Sequence, residues 1–280
     1  MSWLEALLLG VVQGLTEFLP ISSSGHLILV PWAQDYNFLR ENPDFHRTFD
    51  VALHVGTLIG VIVYFRAELW AMTRGFFRTL ATRSMADSDG KLAWVVILAT
   101  IPAVLVGFFG EDFIDDNLGE PWMIAGQLIF FGLLLGLADR LPQRRGTGSI
   151  SIRDGLAIGA AQALALAPGT SRSGVTIMAG RFLGLTRDAA ARFSFLLLVP
   201  ATAGAAVYKG AQAIDEGMPD GVAGPIVVGI IASAISGYLA IAGLLRFVRT
   251  RSYDIFVVYR VVIGVAILLV IASGLRDATF

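Results

Sequence analysis

Three ionisable side chains stand alone in apolar surroundings. Glu17 and His26 are the only ones between Glu5 and Asp35, and Arg172 is the only one between Asp154 and Arg181. A charge near the centre of a bilayer costs about 2.5–3.5 kcal/mol on insertion scales, so it requires a partner or water. Glu17 and Arg172 have opposite signs, and each lies beside hydroxyls: Ser22, Ser23 and Ser24 after Pro20, and Ser171 and Ser173 after Pro168-Gly169. Gln13 precedes Glu17 by four residues, so an amide and a carboxylate share one helix face. A carboxylate in such a place can hold a divalent cation or polarise a water. A guanidinium offers a planar fork to phosphate oxygens. A helix that starts at each serine cluster adds free N–H groups and partial positive charge. These residue types together suggest that phosphate is handled at membrane depth.

Blander readings exist for each of them. Serines at helix starts are commonly caps, and a Glu–Arg pair can simply join two segments. His26 reads either as a general acid for a leaving phosphate or as a structural residue. Two modes of attack stay open. Ser23 can be the nucleophile with Glu17 activating it, or a cation-bound water can attack while Ser23 only positions phosphate. His46 and His54 receive no role.

The elements that position these residues are membrane helices. Of 280 residues, 55% are hydrophobic and 15% charged, with a mean hydropathy of +0.71; soluble domains carry roughly 25% charged residues. The apolar residues come in blocks near the length of about 20 that crosses a bilayer. The net charge of −1 says nothing about nucleic acid, and the distribution of charge matters more; the absence of cysteine excludes disulfide and thiol chemistry. The first residues lack the basic region and cleavage site of a signal peptide, so insertion through the protein's own helices is expected.

Six blocks read as spans: about 50–65, 93–110, 122–138, 190–208, 225–247 and 255–274. The connections 66–92, 139–153 and 246–251 are rich in arginine, whereas 111–121 and 209–224 are acidic. Basic connections stay in the cytoplasm, and six spans satisfy all five connections. Two further apolar blocks, 3–33 and 154–180, are broken by Pro20-Ile21-Ser22-Ser23-Ser24-Gly25 and Pro168-Gly169-Thr170-Ser171-Arg172-Ser173-Gly174. A single crossing by either would put the connection charges out of register, so both are expected to be re-entrant hairpins. Irregular backbone is tolerated at that depth only inside protein or beside a wet cavity.

The hairpins resemble each other. Gly10, Gln13, Leu15, Ser22, Ser24 and Gly25 recur 149 residues later as Gly159, Gln162, Leu164, Ser171, Ser173 and Gly174. Three spans follow each copy, an odd number, so the second copy is expected to be inverted. The expected architecture is an all-α polytopic protein with one membrane domain over 1–280, with repeats of about 1–140 and 150–280. Inverted repeats with broken helices place a site near the midplane.

The motifs resemble those of a known family. Gln13-Gly-Leu-Thr-Glu17 is similar to the (E/Q)xxxE motif of undecaprenyl-diphosphate phosphatases, the bacitracin-resistance family. Pro168-Gly-Thr-Ser-Arg-Ser-Gly-Val-Thr176 is similar to its PGxSRSxxT motif, and Ser23 and His26 fall where the family has its first-motif serine and histidine. The likeness extends over nearly the whole chain, including Ile101-Pro102-Ala103 and Phe193-Ser194-Phe195 ahead of Pro200. It implies removal of one phosphate from the lipid carrier undecaprenyl diphosphate, with a divalent cation, Mg2+ or Ca2+. It also implies a bacterial inner membrane, a site open to the periplasm, and a place in cell-wall precursor recycling. The residues it assigns are Glu17, Ser23, His26 and Arg172 as catalytic. Ser22, Ser24, Ser171, Arg172, Ser173 and Thr176 would bind phosphate, and Glu17 with Gln13 would hold the cation. Gln13 stands where the family often has Glu, so an all-carboxylate metal site is not available.

The expected partners are a polyprenyl diphosphate and the bilayer, with no nucleic acid and with a homodimer left open. A flippase of the same carrier is the competing reading, since broken inverted repeats also build transporters; a pure flippase releases no phosphate. The acid-phosphatase type of membrane enzyme needs a histidine after its Ser-Arg motif, and no histidine follows His54.

Overall fold

The computed structural model describes residues 1–34, 36–216 and 221–278. Asp220 and most of the acidic connection 209–224 lie outside the described residues and side chains, as do the side chains of Glu111, Asp112, Asp115 and Asp116. The helices run α1 (Trp3–Phe18), α2 (Ser23–Gln34), α3 (Asn37–Glu41), α4 (Pro43–Tyr64), α5 (Arg66–Thr82) and α6 (Ser88–Asn117). They continue with α7 (Pro121–Asp139), α8 (Ile152–Ala163), α9 (Arg172–Phe182), α10 (Arg187–Glu216), α11 (Ala223–Val248) and α12 (Asp254–Ala272). No strand forms among the described residues.

Among the described residues six helices are long and apolar enough to cross a membrane: α4, the Ser88–Gly110 part of α6, α7, the Arg187–Tyr208 part of α10, α11 and α12. They match the six apolar blocks, and the chain is a multi-pass membrane protein. The first span begins at Pro43 rather than near residue 50. Pro43 suits the first helical position, where no N–H is needed, while His46, Asp50 and His54 mask the apolar signal. The basic connection 66–92 is more than a loop, because α5 fills it from Arg66 to Thr82. Met72, Gly75 and Thr79 form a buried stripe on α5. Gly75 packs so closely on α6 that a Cβ there would lie 2.4 Å from the Gly90 nitrogen.

The two apolar blocks with internal breaks become two helix pairs, α1/α2 and α8/α9. Their likeness extends into atomic detail. Ser2 and Glu5 form a capping box on α1, and Ser151 and Asp154 form one on α8, again 149 residues apart. Such a box satisfies orphan N–H groups at the helix start. At the breaks, Ser22 and Ser171 have φ of +76° and +74°, a region that serines rarely occupy. The Ser22 hydroxyl accepts from the Gly25 N–H, and the Ser171 hydroxyl accepts from the Gly174 N–H. Each serine thereby caps a returning helix.

Packing between the two halves of the chain is reciprocal. α1 lies against α11, the second span after the second pair, and α8 lies against α6, the second span after the first. Glycine allows both approaches. A Cβ at Gly10 would come 2.5 Å from the Gly229 oxygen, and one at Gly159 would come 2.0 Å from the Ala99 oxygen. Small residues at helix crossings serve this purpose in membranes, where burial of apolar surface gives little driving force between helices. α7 and α12, the third spans after the two helix pairs, pack on each other.

Candidate active site

The breaks of the two helix pairs meet. The Ser22 hydroxyl accepts from the Gly169 N–H at 3.1 Å, and the Ser173 hydroxyl donates to the Leu19 carbonyl at 3.0 Å. Behind the contact, Arg260 of α12 is fully buried. Its guanidinium donates to carbonyls of Pro20 in one break, Gly169 and Thr170 in the other, and Gln127 and Leu128 in α7, all within 3.0–3.2 Å. Proline and non-helical backbone leave carbonyls without helical partners, and one side chain satisfies them from both copies. Thr170 is further held by a hydrogen bond between its hydroxyl and the Gln127 side-chain amide.

On this frame Glu17 collects partners from its own helix and three others. Arg172 of α9 and Ser23 of α2 both donate to its carboxylate. Ser23 and Arg172 are themselves 149 residues apart, so the same position in the two copies serves one carboxylate from either side. Gln13 Nε2 donates to Glu17 Oε2 at 3.2 Å, as helical spacing anticipates. His54 Nε2 of α4 lies 3.6 Å from the same oxygen. The His54 Nδ1 is 2.7 Å from the Asp50 carbonyl, which can only accept, so Nδ1 carries a hydrogen.

Exposure divides the expected residues into two groups. Ser22, Ser171, Ser173 and Thr176 are buried, with protein partners. Ser171 and Ser173 hydroxyls lie 3.3 Å apart, and Thr176 binds the Arg172 carbonyl and the Ser194 hydroxyl, each at 2.7 Å. These residues shape the breaks from within. Ser23, Ser24 and Arg172 are partly exposed and form the open side. A single guanidinium nitrogen of Arg172 reaches Glu17, and its other donors have no partner among the described residues. His26 faces a different way. Its Nδ1 is 2.6 Å from the Ser22 carbonyl and its Nε2 is 2.7 Å from the Tyr259 hydroxyl, with the two rings stacked. Nδ1 therefore donates to Ser22, and Nε2 accepts from Tyr259.

Among the described residues no three His, Asp or Glu side chains come together as a metal centre. Gln13 Oε1, however, is buried beside Glu17 without a hydrogen-bond partner. A buried polar atom in that condition calls for an unseen ligand or water.

Sequence reasoning passed over His54, Tyr259 and Arg260. The rule that singled out Arg172, a lone charge in an apolar helix, applies equally to Arg260. His54 stands four residues after Asp50 on an apolar helix, a spacing that offered the same hint.

The family described as "Bacitracin resistance protein BacA" matches residues 6–266. The chain is 45% identical to the "Undecaprenyl-diphosphatase" of Pelobacter propionicus over 277 residues, covering 98% of this chain and 99% of the relative. It is 46% identical to that of Thermomicrobium roseum over 277 residues, covering 96% and 98%. It is also 46% identical to "Undecaprenyl-diphosphatase 2" of Stutzerimonas stutzeri over 285 residues, covering 98% and 100%.

Proposed function

The chain belongs to the bacitracin resistance protein BacA family, and from that premise we propose that it is an undecaprenyl-diphosphatase. It hydrolyses undecaprenyl diphosphate to undecaprenyl phosphate and inorganic phosphate, and so returns the lipid carrier to cell-wall synthesis. The observation that carries the reading is one buried carboxylate, Glu17, shared by a serine hydroxyl and a guanidinium that arrive from two separate helix breaks.

In the proposed mechanism Arg172 binds the terminal phosphate through its open donors, as a planar fork suits. The first-turn N–H groups of α2 and α9 add positive potential. Glu17 takes the Ser23 proton, and the Ser23 oxygen forms a bond to the terminal phosphorus as the bond to the carrier phosphate breaks. Undecaprenyl phosphate leaves, and water then cleaves the phosphoserine to release phosphate. A serine hydroxyl needs a base within hydrogen-bond reach, and the Ser23–Glu17 contact favours this route over direct attack by water. Phosphoryl transfer depends mostly on positioning and charge stabilisation. His26, bonded to Ser22 and Tyr259, holds the strained Ser22 backbone in this reading.

A divalent cation fits beside these groups. Gln13 Oε1, buried and without a partner, and the Glu17 carboxylate are the protein oxygens that would hold it. Water and substrate oxygens would complete the shell, as is usual for Mg2+. The cation would neutralise charge on the diphosphate.

The proposed setting is the bacterial inner membrane, with α1/α2 and α8/α9 as re-entrant pairs, inverted copies of each other, and the site open to the periplasm. The repeated capping boxes, the paired left-handed serines and the reciprocal packing support the repeat, and the arginine-rich and acidic connections support the orientation.

The test is phosphate release from a polyprenyl diphosphate by purified protein, with and without a chelator. Release that the chelator abolishes and added Mg2+ restores is expected. Absence of release from a folded protein that moves the lipid between leaflets would instead identify a flippase.

A further inference from the structure

No residue of α5 is among the partners of Glu17, yet the helix has a strongly patterned surface. It starts at Arg66, two residues after α4 ends at Tyr64, and leads to α6. As a connection between two spans it sits at the ends of both, where lipid headgroups lie. Its inner stripe packs on protein. On the outer side Trp70, Phe77 and Leu80 form one exposed apolar stripe, 64%, 62% and 50% accessible. Arg74 and Arg78 flank that stripe. An amphipathic helix with aromatic residues on one face and arginines beside them lies in the plane of a membrane interface.

Between α5 and the start of α6 is a cavity of about 360 Å3, lined by Ala67, Trp70, Ala71, Arg74, Gly75, Arg78, Asp87 and Asp89. Its charges are not all used. Arg78 pairs with Asp87 at 2.8 Å, and Asp87 also caps α6 by accepting from the Gly90 N–H. Arg74 and Asp89 have no hydrogen-bond or ion-pair partner among the described residues. The cavity thus presents one free cation, one free anion and an indole. A purely anionic ligand would satisfy Arg74 but would face Asp89. A phosphodiester joined to a primary ammonium satisfies both, and its ammonium can also approach the Trp70 ring.

We propose that the α5–α6 cavity binds the headgroup of phosphatidylethanolamine, with the phosphate on Arg74 and the ammonium on Asp89, while Trp70, Phe77 and Leu80 enter the acyl boundary. The ligand class follows from the pairing of opposite free charges, and the source is the surrounding leaflet.

Delipidated protein is incubated with phosphatidylethanolamine, phosphatidylcholine or phosphatidylglycerol, and retained lipid is counted by native mass spectrometry. Phosphatidylethanolamine should be retained at least fivefold over phosphatidylglycerol, with phosphatidylcholine between them because its ammonium has no N–H. Arg74→Ala should lower retention of all three. Asp89→Asn should remove the preference for phosphatidylethanolamine over phosphatidylglycerol. Phosphate release by both variants should stay near that of the unaltered protein, which also verifies their folding. Equal retention of the three lipids by the unaltered protein, or a preference for phosphatidylglycerol, overturns the proposal. So does an Arg74→Ala protein that holds phosphatidylethanolamine as well as the parent.

Discussion

Two buried arginine–carboxylate centres among the described residues behave as opposites. In the first, Asp139 at the end of α7 accepts from Arg181 at 3.2 Å and from Arg187 at 2.7 Å through one oxygen, and from the Tyr253 N–H at 3.0 Å through the other. Arg181 turns its remaining donors to the carbonyls of Asp139, Leu141 and Leu185. Both side chains of the Asp139–Arg181 pair are closed to solvent, and every guanidinium nitrogen of Arg181 and both carboxylate oxygens of Asp139 have a protein partner. This centre ties α7, α9, α10 and α12 together. In the second, the side chain of Arg172 is 18% accessible and that of His54 is 31%. Arg172 keeps free donors, and Gln13 Oε1 keeps a free acceptor. A buried ion pair is therefore not a site in itself. Unused bonding capacity at an opening is what separates Glu17–Arg172 from Asp139–Arg181.

The largest effect that can test this contrast is on turnover. Arg172→Ala and Arg172→Lys should each reduce phosphate release on the order of a thousandfold, since an aligned donor to developing charge contributes that much and lysine lacks the fork. Near-normal release by folded Arg172→Ala would remove the phosphate-binding assignment.

Ser23→Ala should lose at least a hundredfold in turnover while still binding the lipid. Retention of a tenth or more of the activity, on the order of 1.4 kcal/mol of barrier, would mean that water attacks and Ser23 only positions phosphate.

At the closed centre the effect should move to stability. Asp139→Leu leaves Arg181 buried without its carboxylate and should cost about 3–5 kcal/mol, seen as a lower unfolding midpoint in detergent. Protein that stays folded at low temperature should still turn over substrate. A selective loss of turnover with unchanged stability would erase the distinction between the centres.

Topology comes next, and it decides which solution the open centre faces. In this cysteine-free chain, single cysteines at Asp116 and Asp220 should react with an impermeant thiol reagent outside intact cells, and those at Ser84 and Thr147 should not. Reversed labelling would turn the opening toward the cytoplasm.

The smallest effect concerns Asp154, a third carboxylate with arginine, placed at the rim of α8. A hydrogen bond from Arg145 holds its carboxyl at about 2, below the ordinary 3.8. The folded value is the lower one, so the stabilisation is present above pH 4 and is lost as pH falls through about 2. Allowing for solvent at this rim, Asp154→Asn should cost about 1 kcal/mol at pH 7, and the difference from the parent should shrink on acidification from pH 5 to pH 3.

Much of the fold was legible because bilayer insertion is a one-dimensional problem. Apolar length and arginine-rich connections mark the spans, and all six helices appear where those signals lie. α5 was missed because its inner stripe is spelled with Met72, Gly75 and Thr79, too weakly apolar to stand out among arginines. The candidate site was legible in its motif residues. Lone charges beside helix breaks are costly in a bilayer and are kept only with a partner, so Glu17, Ser23 and Arg172 could be named together.

The sequence by itself determined the class of protein, the two breaks, their 149-residue spacing and the charges that had to find one another. Only the tertiary structure decided which of the hydroxyls stay open, that His26 turns to Tyr259, that His54 comes to Glu17, and that Arg260 holds both breaks from behind. The physical reason is range. Helix length, caps and breaks follow from neighbours within a few residues. The direction of a side chain at a break depends on helices hundreds of residues away, and no local pattern records which of them will pack there.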